Sequence, residues 1–287
     1  MSTTFHTITI DGLNIFYREA GPKDAPMIVL LHGYSASSHM YRDLMNKLSD
    51  QFHLIAPDYP GFGNSDTPPT DQFEYSFDRL ADVIEHFLQA LGLGQFSLYV
   101  QDYGAPVGFR IATRHSEWIQ ALIVQNGNAY EEGLTPAWKA FRELWSERSE
   151  TTEAAVRDFL KRDTTIFFYT AGTRDHQNIN PDNWNLDQYF LEQPNNAAAQ
   201  LELFYNYRKN LERYPEWHEY FRTHQPPALI VWGKNDPFFG PEGAKAFERD
   251  LKTIEVHLLD TGHFALDEEG DAISAHIRRF IPAHVTS

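Results

Sequence analysis

Short runs of apolar residues, continuous rather than alternating, recur along this chain with helical segments between them. They are Met27-Ile-Val-Leu-Leu31, His53-Leu-Ile-Ala56, Phe96 to Val100, Ala121 to Gln125 and Ala228-Leu-Ile-Val-Trp232, and Ile254 to Leu259 reads as a last strand. A strand apolar on both faces belongs inside a parallel sheet, where helices cover it above and below. Residues 39–48 read as a helix. Leu80, Val83, Ile84, Phe87, Leu88 and Leu91 recur at helical spacing behind a capping Ser76, with Gly92 and Gly94 as the stop. Residues 104–115 and 271–280 add two more helices. Strands alternating with helices predict an α/β fold with a mostly parallel, doubly wound sheet. A hairpin precedes it, in which Asp11-Gly12 supplies the tight turn before Leu13 to Arg18.

The rhythm breaks after Asn126. Residues 131–221 hold helical pieces and loops but no apolar strand, and they are crowded with aromatics. Pro226-Pro227 ends the stretch, and the strand pattern resumes. The expected organisation is therefore a core over 1–130 and 222–287, interrupted by a helical cap over 131–221.

Bulk properties exclude several function classes. With 24 basic against 40 acidic residues the formal charge is −16, so nucleic acid would be repelled over most of the surface. No apolar run approaches the roughly 18 residues a membrane span needs. The start of the chain has neither a basic segment nor an apolar one, so a soluble, cytoplasmic protein is expected. There is no cysteine, which removes thiolate chemistry and cysteine-ligated metals. The histidines lack metal-binding spacing; His218-Glu219 has no second histidine one turn away. No cofactor and no metal are expected.

The chemistry concentrates at strand ends. In Val100-Gln101-Asp102-Tyr103-Gly104-Ala105 a buried strand turns directly into a helix, the setting of a nucleophile elbow. Gly104 and Ala105 are small where the helix must cross close to the strand. Asp102 at the tip is aimed into the crevice beyond the strands' carboxyl ends. Trp232-Gly-Lys-Asn-Asp236-Pro237 places an acid after a core strand, and Leu259-Asp-Thr-Gly-His263-Phe264 a histidine after the last one. Nucleophile, acid, histidine is the α/β-hydrolase order. Asn126 and Asn128 mark an alternative acid position but carry no charge, which favours Asp236. His32-Gly33-Tyr34 follows a strand where an oxyanion amide is needed, and Asp58-Tyr-Pro-Gly61-Phe-Gly63-Asn-Ser65 is a further turn of the same type.

On these motifs the chain resembles the α/β-hydrolase family over essentially its whole length. Within that family it is most similar to the branch with aspartate nucleophiles, the soluble epoxide hydrolases and haloalkane dehalogenases. The resemblance implies an alkyl ester on Asp102, hydrolysed by water that His263, oriented by Asp236, activates. The amides of Tyr34 and Tyr103 would hold the oxyanion, at about 3–4 kcal/mol per donor. The partners are a small, neutral, largely apolar substrate and water.

Two electrophiles fit this chemistry and make different demands. An epoxide oxygen must be protonated as it leaves, in epoxide hydrolases by cap tyrosines. Tyr207-Arg208-Lys209-Asn210 resembles their cap motif and nominates Tyr207, with Tyr189 or Tyr169 as the second donor. A halide leaves as a stable anion and needs only N–H donors. Val100-Gln101 before the nucleophile is similar to dehalogenases, but Tyr103 and Tyr34 stand where they carry tryptophan and asparagine or glutamate; Trp184 is the cap indole for that role. Tyr103 and Pro106 replace the arginine clamp of fluoroacetate dehalogenases, which argues against a carboxylate substrate. The expected activity is epoxide hydrolysis to vicinal diols, with haloalkane dehalogenation as the alternative. Ester or lactone hydrolysis and ligand binding without turnover are the remaining readings.

Overall fold

The computed structural model describes residues 2–285. Its strands are β1 (Thr4–Ile10), β2 (Leu13–Ala20), β3 (Met27–Leu31), β4 (His53–Pro57), β5 (Phe96–Gln101), β6 (Ile119–Gln125), β7 (Ala228–Gly233) and β8 (Ile254–Leu259). They form one sheet in the order β1-β2-β4-β3-β5-β6-β7-β8. β1 and β2 are the predicted hairpin, and both Asp11 (φ 51°) and Gly12 (φ 82°) take the left-handed angles its turn requires. β2 also runs antiparallel to β4, and every later pairing is parallel. The central strands β4, β5 and β7 are buried at every residue. That double burial is why they read as unbroken apolar runs.

Helices α1 (Arg42–Leu48), α2 (Phe77–Ala90) and α3 (Gly104–Arg114) cover the sheet. Ser76 caps α2 as predicted, its side chain accepting from the Arg79 amide. Between β6 and β7 the chain makes a helical excursion: α4 (Lys139–Ser146), α5 (Glu150–Arg157), α6 (Arg162–Thr170), α7 (Pro181–Leu191), α8 (Asn196–Asn206) and α9 (Arg208–His224). α9 runs unbroken past residue 221, and the helix stops only where Gln225 turns left-handed (φ 50°) before the two prolines. α10 (Pro241–Ala246) and α11 (Ala265–His284) complete the chain. α11 is longer at both ends than the expected 271–280 and bends at Glu269. No helix among the described residues is long and apolar enough to cross a membrane.

A buried carboxyl lies in the excursion. Asp187 of α7 is 1% exposed and accepts the Tyr169 hydroxyl of α6 at 2.6 Å. Burial, reinforced by the charge of Asp267 on α11, pushes its carboxyl well above the usual carboxylate range despite Tyr169 and Arg42. Above the ordinary carboxylate value the folded chain then holds a proton the unfolded chain has released, so stability falls as pH rises. Asp187→Asn keeps an acceptor for Tyr169 and has nothing to ionise. Its melting temperature is expected to exceed the parent's by several degrees at pH 8 and to converge with it near pH 4.

Candidate active site

Asp102 sits where β5 ends and α3 begins, with φ of 48°. A non-glycine residue in that region is strained, and such strain is kept where it aims a side chain. The turn works only because its neighbours are small. A Cβ on Gly104 would lie 2.0 Å from the Leu31 carbonyl oxygen, and one on Gly33 would lie 2.3 Å from the Asp102 Cβ. Both glycines are required by close approach rather than by turn geometry.

The carboxylate is held asymmetrically. Its Oδ1 accepts the amides of Tyr34 at 2.7 Å and of Tyr103 at 2.6 Å. Its Oδ2 faces His263 Nε2 at 3.8 Å, too far for a hydrogen bond. His263 Nδ1 lies 2.7 Å from Asp236 Oδ2. Asp236 in turn accepts the Phe238 amide at 2.8 Å and the Asn126 side-chain amide at 2.8 Å. All three residues are less than 10% exposed.

Burial raises the Asp102 carboxyl to about 6, even though His263 and the two amides favour its charged form. For His263 burial opposes the charge, but Asp236, through its charge and hydrogen bond, and Asp102 outweigh it and raise the ring above its ordinary value. The arrangement pairs an ionisable carboxylate in an apolar cavity with a base oriented by a second carboxylate. It can form an ester on Asp102 Oδ2 while Oδ1 stays in a two-amide cradle.

The cavity in front of Asp102 is small, with an accessible volume of about 30 Å³. Tyr34, Tyr103, Phe238 and Phe239 form its core side, and Trp138, Phe141, Phe159, Phe168, Phe204 and Tyr207 its helical side. A larger open groove of about 660 Å³ between residues 70–76 and α8 holds none of the residues just described.

The structure brings together Asp102, Asp236, His263, Tyr34, Tyr103 and Tyr207. His32 backs them: its ring stacks on Tyr59 at 4.2 Å and its Nε2 accepts the Tyr59 amide. The other cap residues expected at the leaving group are elsewhere. Tyr169 spends its hydroxyl on Asp187 and stacks on Phe264 at 3.9 Å. Tyr189 is 58% exposed on the outside of α7. Trp184 packs near Tyr169, outside the cavity wall.

Three contributors escape sequence reasoning. Asn126, read there only as an uncharged occupant of the alternative acid position, is the donor that holds Asp236. Gln101 lies with its amide nitrogen 2.9 Å from His263 Nε2. Tyr214, whose hydroxyl accepts from the Asn128 amide at 3.1 Å, stands behind the wall; its signal was the seven-residue spacing from Tyr207, which puts both on one helical face.

Comparison with known proteins identifies the family. A family model for the alpha/beta hydrolase fold matches residues 26–270. The chain is 37% identical over 95% of both sequences to "Uncharacterized hydrolase YNR064C" of Saccharomyces cerevisiae. It is 29% identical to Haloalkane dehalogenase 2 of Mycobacterium tuberculosis, over 88% of this chain and 86% of that one. The solved structure of the epoxide hydrolase CorEH superposes with a TM-score of 0.80 over 98% of this chain and 99% of that one, at 18% identity. In sequence and in fold, the chain belongs to the alpha/beta hydrolase family.

Proposed function

We propose that this protein is an epoxide hydrolase that converts small, neutral, largely apolar epoxides to vicinal diols. The observation that carries the choice is where protons remain unspent around the cavity. A departing halide is held by N–H donors, yet Trp138, the indole in the cavity wall, gives its N–H to the Phe238 carbonyl at 2.9 Å. Trp145, behind it, gives its own to the Phe204 carbonyl at 2.8 Å. What faces the space before Asp102 is phenolic. Tyr34 donates to the Phe159 carbonyl at 2.7 Å, which leaves Tyr103 and Tyr207. Tyr207, the cap tyrosine, is assigned as the proton donor.

The steps then balance. Asp102 Oδ2 attacks an epoxide carbon, the C–O bond breaks, and the released oxygen takes the Tyr207 proton. Water gives a proton to His263 Nε2 and adds to the ester carbon, with the oxyanion held by the amides of Tyr34 and Tyr103. Collapse expels the diol oxygen, which takes the proton from His263. Asp102 is left as the acid and returns its proton to Tyr207.

Incubation of the protein with styrene oxide and, separately, with 1-bromohexane tests the reading. Diol formation without bromide release is expected; bromide release without diol overturns it in favour of dehalogenation. The first step also has a predicted pH dependence. Asp102 must be ionised to attack, so single-turnover ester formation should fall about tenfold per unit below a midpoint near 6. A midpoint near the ordinary 3.8 would contradict the buried setting described for Asp102.

A further inference from the structure

Gln101, the last residue of β5, is fully buried, and its side chain reaches the base. Its amide nitrogen lies 2.9 Å from His263 Nε2. Its amide oxygen has no hydrogen-bonding partner among the described residues and is packed against the turn after β3, where a Cβ on Gly33 would lie 2.4 Å from it. A buried amide oxygen without a donor is costly to the fold, and groups of this kind are kept where they have a role. The hydrogens on the histidine say which role. His263 Nδ1 faces the Asp236 carboxylate at 2.7 Å, and a carboxylate only accepts, so the ring hydrogen sits on Nδ1. In the neutral ring Nε2 is then a bare acceptor, and only the nitrogen end of the Gln101 amide can face it.

Hydrolysis reverses that demand. Once water has given its proton to Nε2, that atom is a donor, and an amide N–H opposite it repels. A half-turn of the amide exchanges its two ends, about a terminal torsion that is broad and roughly two-fold. We propose that Gln101 is a positioning residue for ester hydrolysis, whose amide caps the neutral base through its nitrogen and holds the protonated base through its oxygen. The assignment rests on the ester-and-water half of the function proposed above, and it holds for an ester made from either electrophile. The same turn lifts the N–H off the lone pair that water must reach. The bond it makes to the imidazolium is charge-assisted, stronger than the one it replaces, and so favours the step in which His263 becomes charged. The charged groups that face the ring are Asp236, at Nδ1, and Asp102, at Nε2; the rings of Phe168, Phe238, Phe239 and Phe264 surround the rest. Asp102 loses its charge on esterification, which leaves Gln101 as the acceptor beside Nε2.

Two substitutions read the two ends of the amide. Gln101→Met keeps the length and removes both hydrogen bonds. It should leave ester formation from styrene oxide at the parental rate and slow hydrolysis about ten- to a hundredfold, the worth of one bond to a charged group. The ester should then accumulate with His263 intact and be visible by intact mass during turnover. Gln101→Glu can only accept, and its charge favours the protonated ring, so the acid limb of hydrolysis should move up by about one pH unit or more. Unchanged hydrolysis in folded Gln101→Met, or equal slowing of both half-reactions, overturns the assignment alone. So does a Gln101→Glu limb that stays at the parent's pH. If the parent forms its ester from 1-bromohexane and none from styrene oxide, the epoxide reading falls, and the same measurements on that ester still decide the role of Gln101. If it forms an ester from neither, the assignment falls with the reading.

Discussion

With His263 replaced by glutamine, the protein is expected to gain the mass of one whole epoxide molecule and to keep it. Ester formation needs no base, because Asp102 is already a carboxylate above pH 6. Hydrolysis needs one, and a positioned general base contributes roughly a hundredfold to ten-thousandfold. The variant should therefore open epoxide at about the parental rate and then stall, with turnover reduced about a thousandfold. Fragment mass spectrometry should place the adduct on Asp102. A gain of an alkyl group from 1-bromohexane, with none from styrene oxide, would instead identify a dehalogenase. Turnover at the parental rate would mean that His263 is not the base, despite its 2.7 Å contact with Asp236.

Asp102→Ala is expected to remove turnover and adduct together, a loss of at least about ten-thousandfold by comparison with other nucleophiles. The more telling expectation concerns stability. Asp102 is a buried carboxyl in a strained backbone region, raised to about 6 by burial. Such a group is kept at a cost to the fold. The melting temperature of the variant at pH 8 should equal or exceed the parent's. A protein that loses activity without losing stability has lost chemistry, whereas a large drop in melting temperature would make Asp102 a structural residue.

Much of this was legible in the sequence, and the reason differs from element to element. β4, β5 and β7 are buried on both faces, so their residues had no face to alternate, and each strand announced itself as a continuous run. Asp102 and Asp236 each follow such a strand, and His263 follows the half-buried edge strand β8, so their meeting followed from the topology. The helical excursion obeys no such rule. Tyr169 and Tyr207 stand in equally aromatic segments, yet one is drawn to Asp187 and the other lines the cavity. Which helix faces which is a tertiary fact, and α7 carries aromatic residues both half-buried and exposed, as Trp184 and Tyr189 are. Asn126 was hidden for a similar reason: its partner Asp236 lies 110 residues further on. At the end of the excursion α9 packs beside α3, as in the contact of Phe109 with Trp217, and runs on to the prolines.

The excursion leaves the sheet at the end of β6 and returns at the start of β7, and these two strands are hydrogen-bonded neighbours, with Leu122 opposite Ala228. One contiguous stretch of sequence between two adjacent strands thus supplies most of the cavity's aromatic wall, while Asp102, Asp236 and His263 lie outside it. Recombination across that stretch can replace the wall and leave those three side chains in register. Substrate range and chemical mechanism are separately heritable in such a molecule. A chimera exchanging residues 131–224 with a relative should acquire the donor's preferences and keep the recipient's reaction, provided that Phe109 still finds an aromatic partner in place of Trp217.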